Sequence, residues 1–186
     1  MKTSTKQKVF AIFSVFILMI ALASCNGEKE SKATSAEIFD GINAAFAEKY
    51  PDVGGAVTMP MDIDDETLSN VYGITTEMVE DYKGQVAGSM TNCDMLLVVK
   101  AKDGQVENVQ KALEDSLAAR VDQFEWYAVM GNDIRTKEAK VVVDGNYAAL
   151  LMVGIIADDT AETFDFASDV KLAEDTFHQV IEDGKK

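Results

Sequence analysis

One histidine, one tryptophan, two cysteines and two prolines are all that 186 residues hold of these types. Each shortage closes a route. Structural and catalytic zinc sites draw on clusters of cysteine and histidine, and His178 stands alone. A Ser-His-Asp or Cys-His device needs a base held by a third group; Asp175 precedes His178 by three residues, but no nucleophile joins them in a recognisable pattern. Nor is there a phosphate loop, because Gly54-Gly55 lacks both the lysine and the strand-loop-helix setting. Basic residues are also scarce, 17 against 32 acidic. That balance argues against nucleic acid, whose binders present basic patches. It argues equally against lying flat on anionic lipid. The acidity reads as solubility and self-repulsion from a negative surface. No apolar run reaches the ~20 residues a membrane span requires.

The longest such run does carry information. Lys2, Lys6 and Lys8 precede Val9 to Ala23, an apolar stretch interrupted only by Ser14. This is the form of a secretory leader, whose apolar region is about 7–15 residues and ends in small residues. Leu22-Ala23-Ser24-Cys25 then reads as a lipobox, in which Cys25 is acylated and becomes the first residue after cleavage. The alternatives are an ordinary cut near Ala23 with Cys25 incidental, and a signal-anchor helix, which Asn26-Gly27-Glu28 ends too abruptly. The expected organisation is a leader over residues 1–24, a tether over 25–33 and one domain over 34–186. Losing the leader removes three lysines and no acid, leaving 14 basic against 32 acidic residues, a formal charge of −18. The expected address is exported and lipid-anchored, on the outer face of the cytoplasmic membrane or on an outer membrane. With Cys25 acylated, Cys93 has no partner for a disulfide. Asn92 and Asp94 give it no basic neighbourhood, so it reads as a buried small hydrophobe.

Local patterning predicts an α+β domain. Thr34-Ser35-Ala36-Glu37 matches a capping box ahead of Ile38, Ile42, Ala45 and Phe46 at helical spacing, and Pro51 stops that helix. Residues 52–62 should be loop, with a short edge strand around Val57. Two short helices follow, Asp65 to Tyr72 closed by Gly73, and Thr75 or Thr76 through Tyr82 closed by Gly84. Val86, Gly88 and Met90 alternate as a modest strand, and Met95 to Val99 read as a central strand buried on both faces. Beyond the turn at Lys102 to Gln105, Val106, Val109, Leu113, Leu117, Val121, Phe124 and Ala128 share one face of a long helix. Met130 to Glu138 reads as a connection, and Asp144-Gly145 between apolar runs as a hairpin turn. Asp159 with Glu162 should cap a last helix whose inward stripe is Phe166, Val170, Ala173, Phe177 and Val180 or Ile181. The expected architecture is an antiparallel sheet of about four strands with helices packed mainly on one face.

Leu68 to Tyr72 with Gly73-Ile74, the apolar strand running into Lys102-Asp103-Gly104, and Val141 to Tyr147 resemble a family of small bacterial lipoproteins, the domain of unknown function 4358. The likeness spans roughly residues 60 to 155, and the long acidic C-terminal helix departs from it. It implies an exported, lipid-anchored domain and supplies no catalytic residues to carry over.

Three functions remain in view. The first is a non-catalytic binding domain whose partner is an envelope protein or small molecule, with no cofactor. Its expected surface is Val57, Met59 and Met61, with Trp126 and Tyr127 second, because methionine suits an adaptable contact. The alternatives are that the methionines roof the core and that Trp126 and Tyr127, closing the long helix, pack in it, the reading favoured for that pair. The second is a carboxylate-based envelope hydrolase, for which 32 acids always offer pairs. The third is calcium binding at Asp62, Asp64, Asp65 and Glu66, whose spacing opens like an EF-hand loop although Thr67 stands at its glycine position. Helix capping accounts for the same acids.

Overall fold

The computed structural model describes residues 30–156 and 164–186. Helix α1 (Ser35–Lys49) opens on the expected capping box: the Thr34 hydroxyl accepts from Glu37 N at 3.1 Å, and Thr34 N donates to Glu37 Oε2 at 2.8 Å. It ends two residues before Pro51 and buries Ile38, Phe39, Ile42 and Phe46. Strand β1 (Pro60–Asp62) and helix α2 (Asp65–Tyr72) follow, the latter closed by Gly73 in the left-handed conformation.

Strands β2 (Val79–Ala87) and β3 (Met95–Ala101) come next, then helix α3 (Val106–Phe124). A 3-10 turn at Val129–Gly131 leads into α4 (Asn132–Glu138), the hairpin β4 (Lys140–Asp144) and β5 (Tyr147–Met152), and finally α5 (Phe166–Gly184).

The strands form one antiparallel sheet in the order β1-β2-β3-β5-β4. The class is α+β as expected, with five strands against about four. The layering differs: helices cover both faces. β3 and β5 are buried along almost their whole length, so alternate side chains emerge on two faces and each face needs a cover. Leu96, Val98, Ala149 and Leu151 pack under α1 and α5. Leu97, Val99, Ala148, Leu150 and Met152 pack under α2 and α3, through Leu68, Tyr72, Val109, Leu113 and Phe124.

Other departures are local. The helix expected from Thr75 or Thr76 to Gly84 is a turn followed by β2, because pairing with β3 (Lys83 to Val98, Gly84 to Leu97) outweighs short-range helical spacing. Gly84 is there for room: a Cβ would lie 2.6 Å from Leu97 Cδ1 and 3.0 Å from Ile63 Cδ1. β2 stops at Ala87, short of Met90. The edge strand expected around Val57 is instead β1, three residues on. The segment expected as a connection contains α4.

In the hairpin, Asp144 pairs with Tyr147, so Gly145-Asn146 are the central residues and only Gly145 takes positive φ, at 57°. That is the pattern of a turn with glycine first. α5 starts at Phe166, capped by Asp165 accepting from Ser168 N at 3.2 Å; Asp159 and Glu162 lie outside the described residues. Of the tether expected over 25–33, residues 31–33 are docked. Ser31 and Ala33 are buried, Lys32 N donates to Gly184 O at 3.1 Å, and the Tyr147 hydroxyl lies 3.0 and 2.6 Å from the Ser31 and Ala33 carbonyls.

Candidate interaction surface

The two ends of the sheet differ in what they expose. At one, the chain enters the described structure at Glu30, beside Asn146 and the β4–β5 turn. At the other, where β3 begins and β5 ends, large apolar side chains stand in solvent. Met90 is 95% exposed, Trp126 76%, Met59 72% and Met61 58%, with Val129 and Met130 about half exposed or less.

Backbone contacts bring these residues together. Gly88 N donates to Met59 O at 2.9 Å, and the approach is close: a Cβ at Gly88 would lie 3.0 Å from Met59 O and 3.1 Å from Met61 Cγ. Met90, Thr91, Gln123, Phe124, Trp126 and Tyr127 line a shallow groove of about 240 Å³. The indole and phenol of Trp126 and Tyr127 meet edge to face, 5.8 Å apart. Two of these methionines, Met59 and Met130, are the non-glycine residues with positive φ among the described residues (48° and 59°). Left-handed backbone costs roughly 1–3 kcal/mol at a non-glycine residue and persists only where the surroundings impose it.

The imposing structure lies directly beneath. Asp94, at the foot of β3, and Arg135, on α4, are both fully buried, and Arg135 Nε approaches Asp94 Oδ1 to 2.8 Å. The approach is a close ion pair and not an aligned hydrogen bond, and neither of those two atoms has another partner. The rest of each group is well supplied. Asp94 Oδ2 accepts from Asn92 Nδ2 at 2.9 Å and from Thr58 N at 3.2 Å, one residue before Met59.

Arg135 donates to Gly154 O at 2.9 Å, to Met130 O at 3.2 Å, and to Asn92 and Asn132 Oδ1 at 3.3 Å each; its guanidinium carbon lies 4.3 Å from the centre of the Phe166 ring. Asn132 in turn donates to Thr91 O at 2.8 Å and accepts from Cys93 N at 3.1 Å. One buried cluster therefore ties down all three loops that carry the methionines. Burial pushes the Asp94 carboxyl above its ordinary value, and the adjacent guanidinium only partly offsets this.

The sequence-level candidates fall into two groups. Met59, Met61 and Trp126 are exposed at this end, and Tyr127 is partly so; Val57 is buried in the core under α1. Cys25 lies outside the described residues. The acids proposed for calcium are engaged elsewhere, in agreement with capping. Asp64 caps α2 by accepting from Thr67 N at 2.8 Å, and that bond holds its carboxyl below the usual range. Asp62 takes Gln85 at 2.9 Å and Lys83 at 3.2 Å, with the same effect on its carboxyl. Asp65 accepts from the Tyr82 hydroxyl at 2.7 Å, and burial together with that bond pushes the phenol up to about 12. Glu66 is exposed in the first turn of α2. Among the described residues no three His, Cys, Asp or Glu gather as a metal site.

Among the described residues two acids are fully buried, Asp94, held as above, and Asp169, which takes Lys49 at 2.7 Å, the Tyr50 hydroxyl at 2.8 Å and Ile155 N at 2.8 Å. His178 Nδ1 lies 2.8 Å from Asp144 Oδ2 of the hairpin, a pairing invisible in the sequence because the two are 34 residues apart. Cys93 is buried as expected, and burial raises its thiol pKa despite Arg135 4.0 Å away. Sequence reasoning missed Met90, Val129 and Met130, and it missed the Asp94–Arg135 pair. The only local signal for the first was a lone methionine inside Ser89-Met90-Thr91-Asn92.

The fold is a three-layer domain whose strained, methionine-bearing loops lie at one end of an antiparallel sheet. A family model, the domain of unknown function DUF4358, matches residues 55–153, and the chain belongs to that family. The match begins before β1 and ends just past β5, leaving out α1 and α5, which together cover one face of the sheet. No curated protein and no solved structure matches the chain.

Proposed function

We propose that the chain is an exported, lipid-anchored domain that works by contact, docking a basic, apolar protein surface of the cell envelope on the Met59–Met61–Met90–Trp126 end. The observation that carries this is the placement of exposed apolar groups opposite the point where the tether joins. β5 runs from one end to the other, and six residues at ~3.3 Å each separate the two by about 20 Å. An acyl group on Cys25 then holds the Tyr147 end toward the membrane, and the methionines face away from it. Large side chains left bare together in solvent mark an interaction site more often than a structural one. Asp122 and Glu125, beside Trp126, and Asp133, beside Met130, set the charge of the complementary surface as positive. The lipobox pattern Leu22-Ala23-Ser24-Cys25 supports attachment through Cys25.

A photo-crosslinking residue in place of Trp126 in the native host tests the reading, with the same probe at Glu107, exposed in the first turn of α3, as control. The expected result is a protein adduct from position 126 only, lost when Met59 and Met90 are changed to serine with the thermal midpoint unchanged. Adducts of equal yield from both positions, or none from either, would overturn it.

A further inference from the structure

The two edges of the sheet are protected unequally. Edge strands expose unpaired backbone groups, which natural proteins blunt by shortness, proline or charge. β1 is three residues long, starts with Pro60 and is exposed throughout. β4, at the other edge, is five residues long and carries three consecutive valines, Val141 to Val143.

The turn fixes which of its groups face out. Asp144 and Tyr147 close a two-residue turn, so this pair exchanges both of its hydrogen bonds. Alternation then directs the N–H and C=O of Lys140, Val142 and Asp144 toward β5, and those of Val141 and Val143 outward. Among the described residues no strand lies beyond β4, and no loop or cap takes a backbone bond from Val141 or Val143.

We propose that β4 is the seam of a homodimer, in which a second copy adds its own β4 antiparallel about a two-fold axis through Val142. The strand reads Lys-Val-Val-Val-Asp and is complementary to itself in that arrangement alone. Lys140 stands opposite Asp144 of the partner subunit at both ends, and Val141 opposite Val143 of the partner subunit, with their outward groups forming the new ladder. A parallel pairing would set like charges together. Side chains at opposed antiparallel positions share a face. Lys140 and Asp144 both lie on the α5 face, on Glu174 and His178 at 2.8 Å, and both remain partly exposed. Each subunit carries a large net negative charge, so association strengthens as salt screens the repulsion.

Substituting Val142→Cys in the full chain, purified in detergent, tests the axis. Opposed residues of a non-hydrogen-bonded pair lie about 4.5 Å apart at Cα, within the ~4.4–6.8 Å reach of a disulfide. Mild oxidation should give a covalent species of twice the chain mass well above the wild-type background, Cys93 being buried and Cys25 common to both chains. Adding Lys140→Glu should lower its yield about tenfold through two like-charge pairs, and adding Asp144→Lys as well should restore it. No species above the wild-type background, or a yield indifferent to the charges, would overturn the proposal.

Discussion

Replacing Arg135 by methionine tests whether the buried cluster holds the methionine loops in place. The new side chain keeps roughly the volume under Phe166 but removes the partner of Asp94 and the donors to Gly154 O and Met130 O. Breaking a buried pair by removing one partner costs ~3–5 kcal/mol, because an uncompensated charge stays behind. A large share of a small domain's stability is at stake, since the total is about 5–15 kcal/mol. The cost depends on pH in a defined direction. Asp94 has a folded-state pKa raised above its ordinary 3.8 by burial. A raised acid favours folding below its unfolded value and loses that contribution as pH rises through the folded one. Taking away Arg135 raises it further, so the variant suffers most at neutral pH and recovers relative to wild type as the solution is acidified.

The expected gap is about 3–5 kcal/mol at neutral pH, falling toward the ~1–3 kcal/mol of orphaned polar groups once Asp94 is protonated. Urea unfolding followed by far-ultraviolet circular dichroism reads both; Trp126 fluorescence is unsuitable because the indole is already exposed in the fold. The double variant with Asp94→Asn should show the smaller cost at every pH. A loss under about 1 kcal/mol at neutral pH, or a gap that acidification leaves unchanged, would refute the account of a buried charge pair.

Residues 55–153 expressed alone should fail to give a cooperative unfolding transition, because Leu96, Val98, Ala149 and Leu151 lose the cover of α1 and α5; a sharp calorimetric transition would contradict this. Leu113→Ala should cost ~2–5 kcal/mol as a fully buried leucine, and Leu117→Ala clearly less because it is only partly buried, in the same urea assay. Cys25→Ala should leave the protein unacylated and uncleaved, visible as a higher intact mass carrying residues 1–24; an identical mature end in variant and wild type would sink the lipobox reading.

What the sequence made legible follows the range of the physics involved. Capping at Thr34, the Gly73 stop, the β3 run and the α5 stripe rest on residues a few positions apart and appear where expected. The α3 stripe holds only to Phe124, where the helix ends, and leaves Ala128 beyond it and exposed. Val79 to Gly84 was misread because its fate is decided by β3, more than ten residues on, and the helical spacing of Val79 and Tyr82 was coincidental to it. The second helical layer was missed for a related reason: an aliphatic run such as Met95 to Val99 announces burial on two faces, yet does not say which helices supply it. At the candidate surface, methionine content pointed to a loop that is exposed but could not separate Val57, which turns inward, from Met59 and Met61. Asp94 and Arg135 are 41 residues apart, and no local pattern links them.

That same pair decides how the exposed end should be understood. Methionines on loose loops would adapt to many partners but would lose ordering entropy on each binding event, at ~0.5–1.5 kcal/mol per immobilised side chain. Here the loop backbones are already fixed. Thr58 N, Thr91 O and Met130 O all bond to members of one buried cluster, and positive φ at Met59 and Met130 is held in place by it. Only the side chains remain free to rearrange. For the docking role proposed above, a rigid frame bearing flexible, polarisable side chains would suit a single partner whose contact surface varies in detail. Arg135→Met should accordingly weaken photo-crosslinking from position 126 under conditions where the variant stays folded, although Arg135 itself is buried away from any partner. Undiminished crosslinking in a folded Arg135→Met chain would mean that the cluster stabilises the domain without organising its surface.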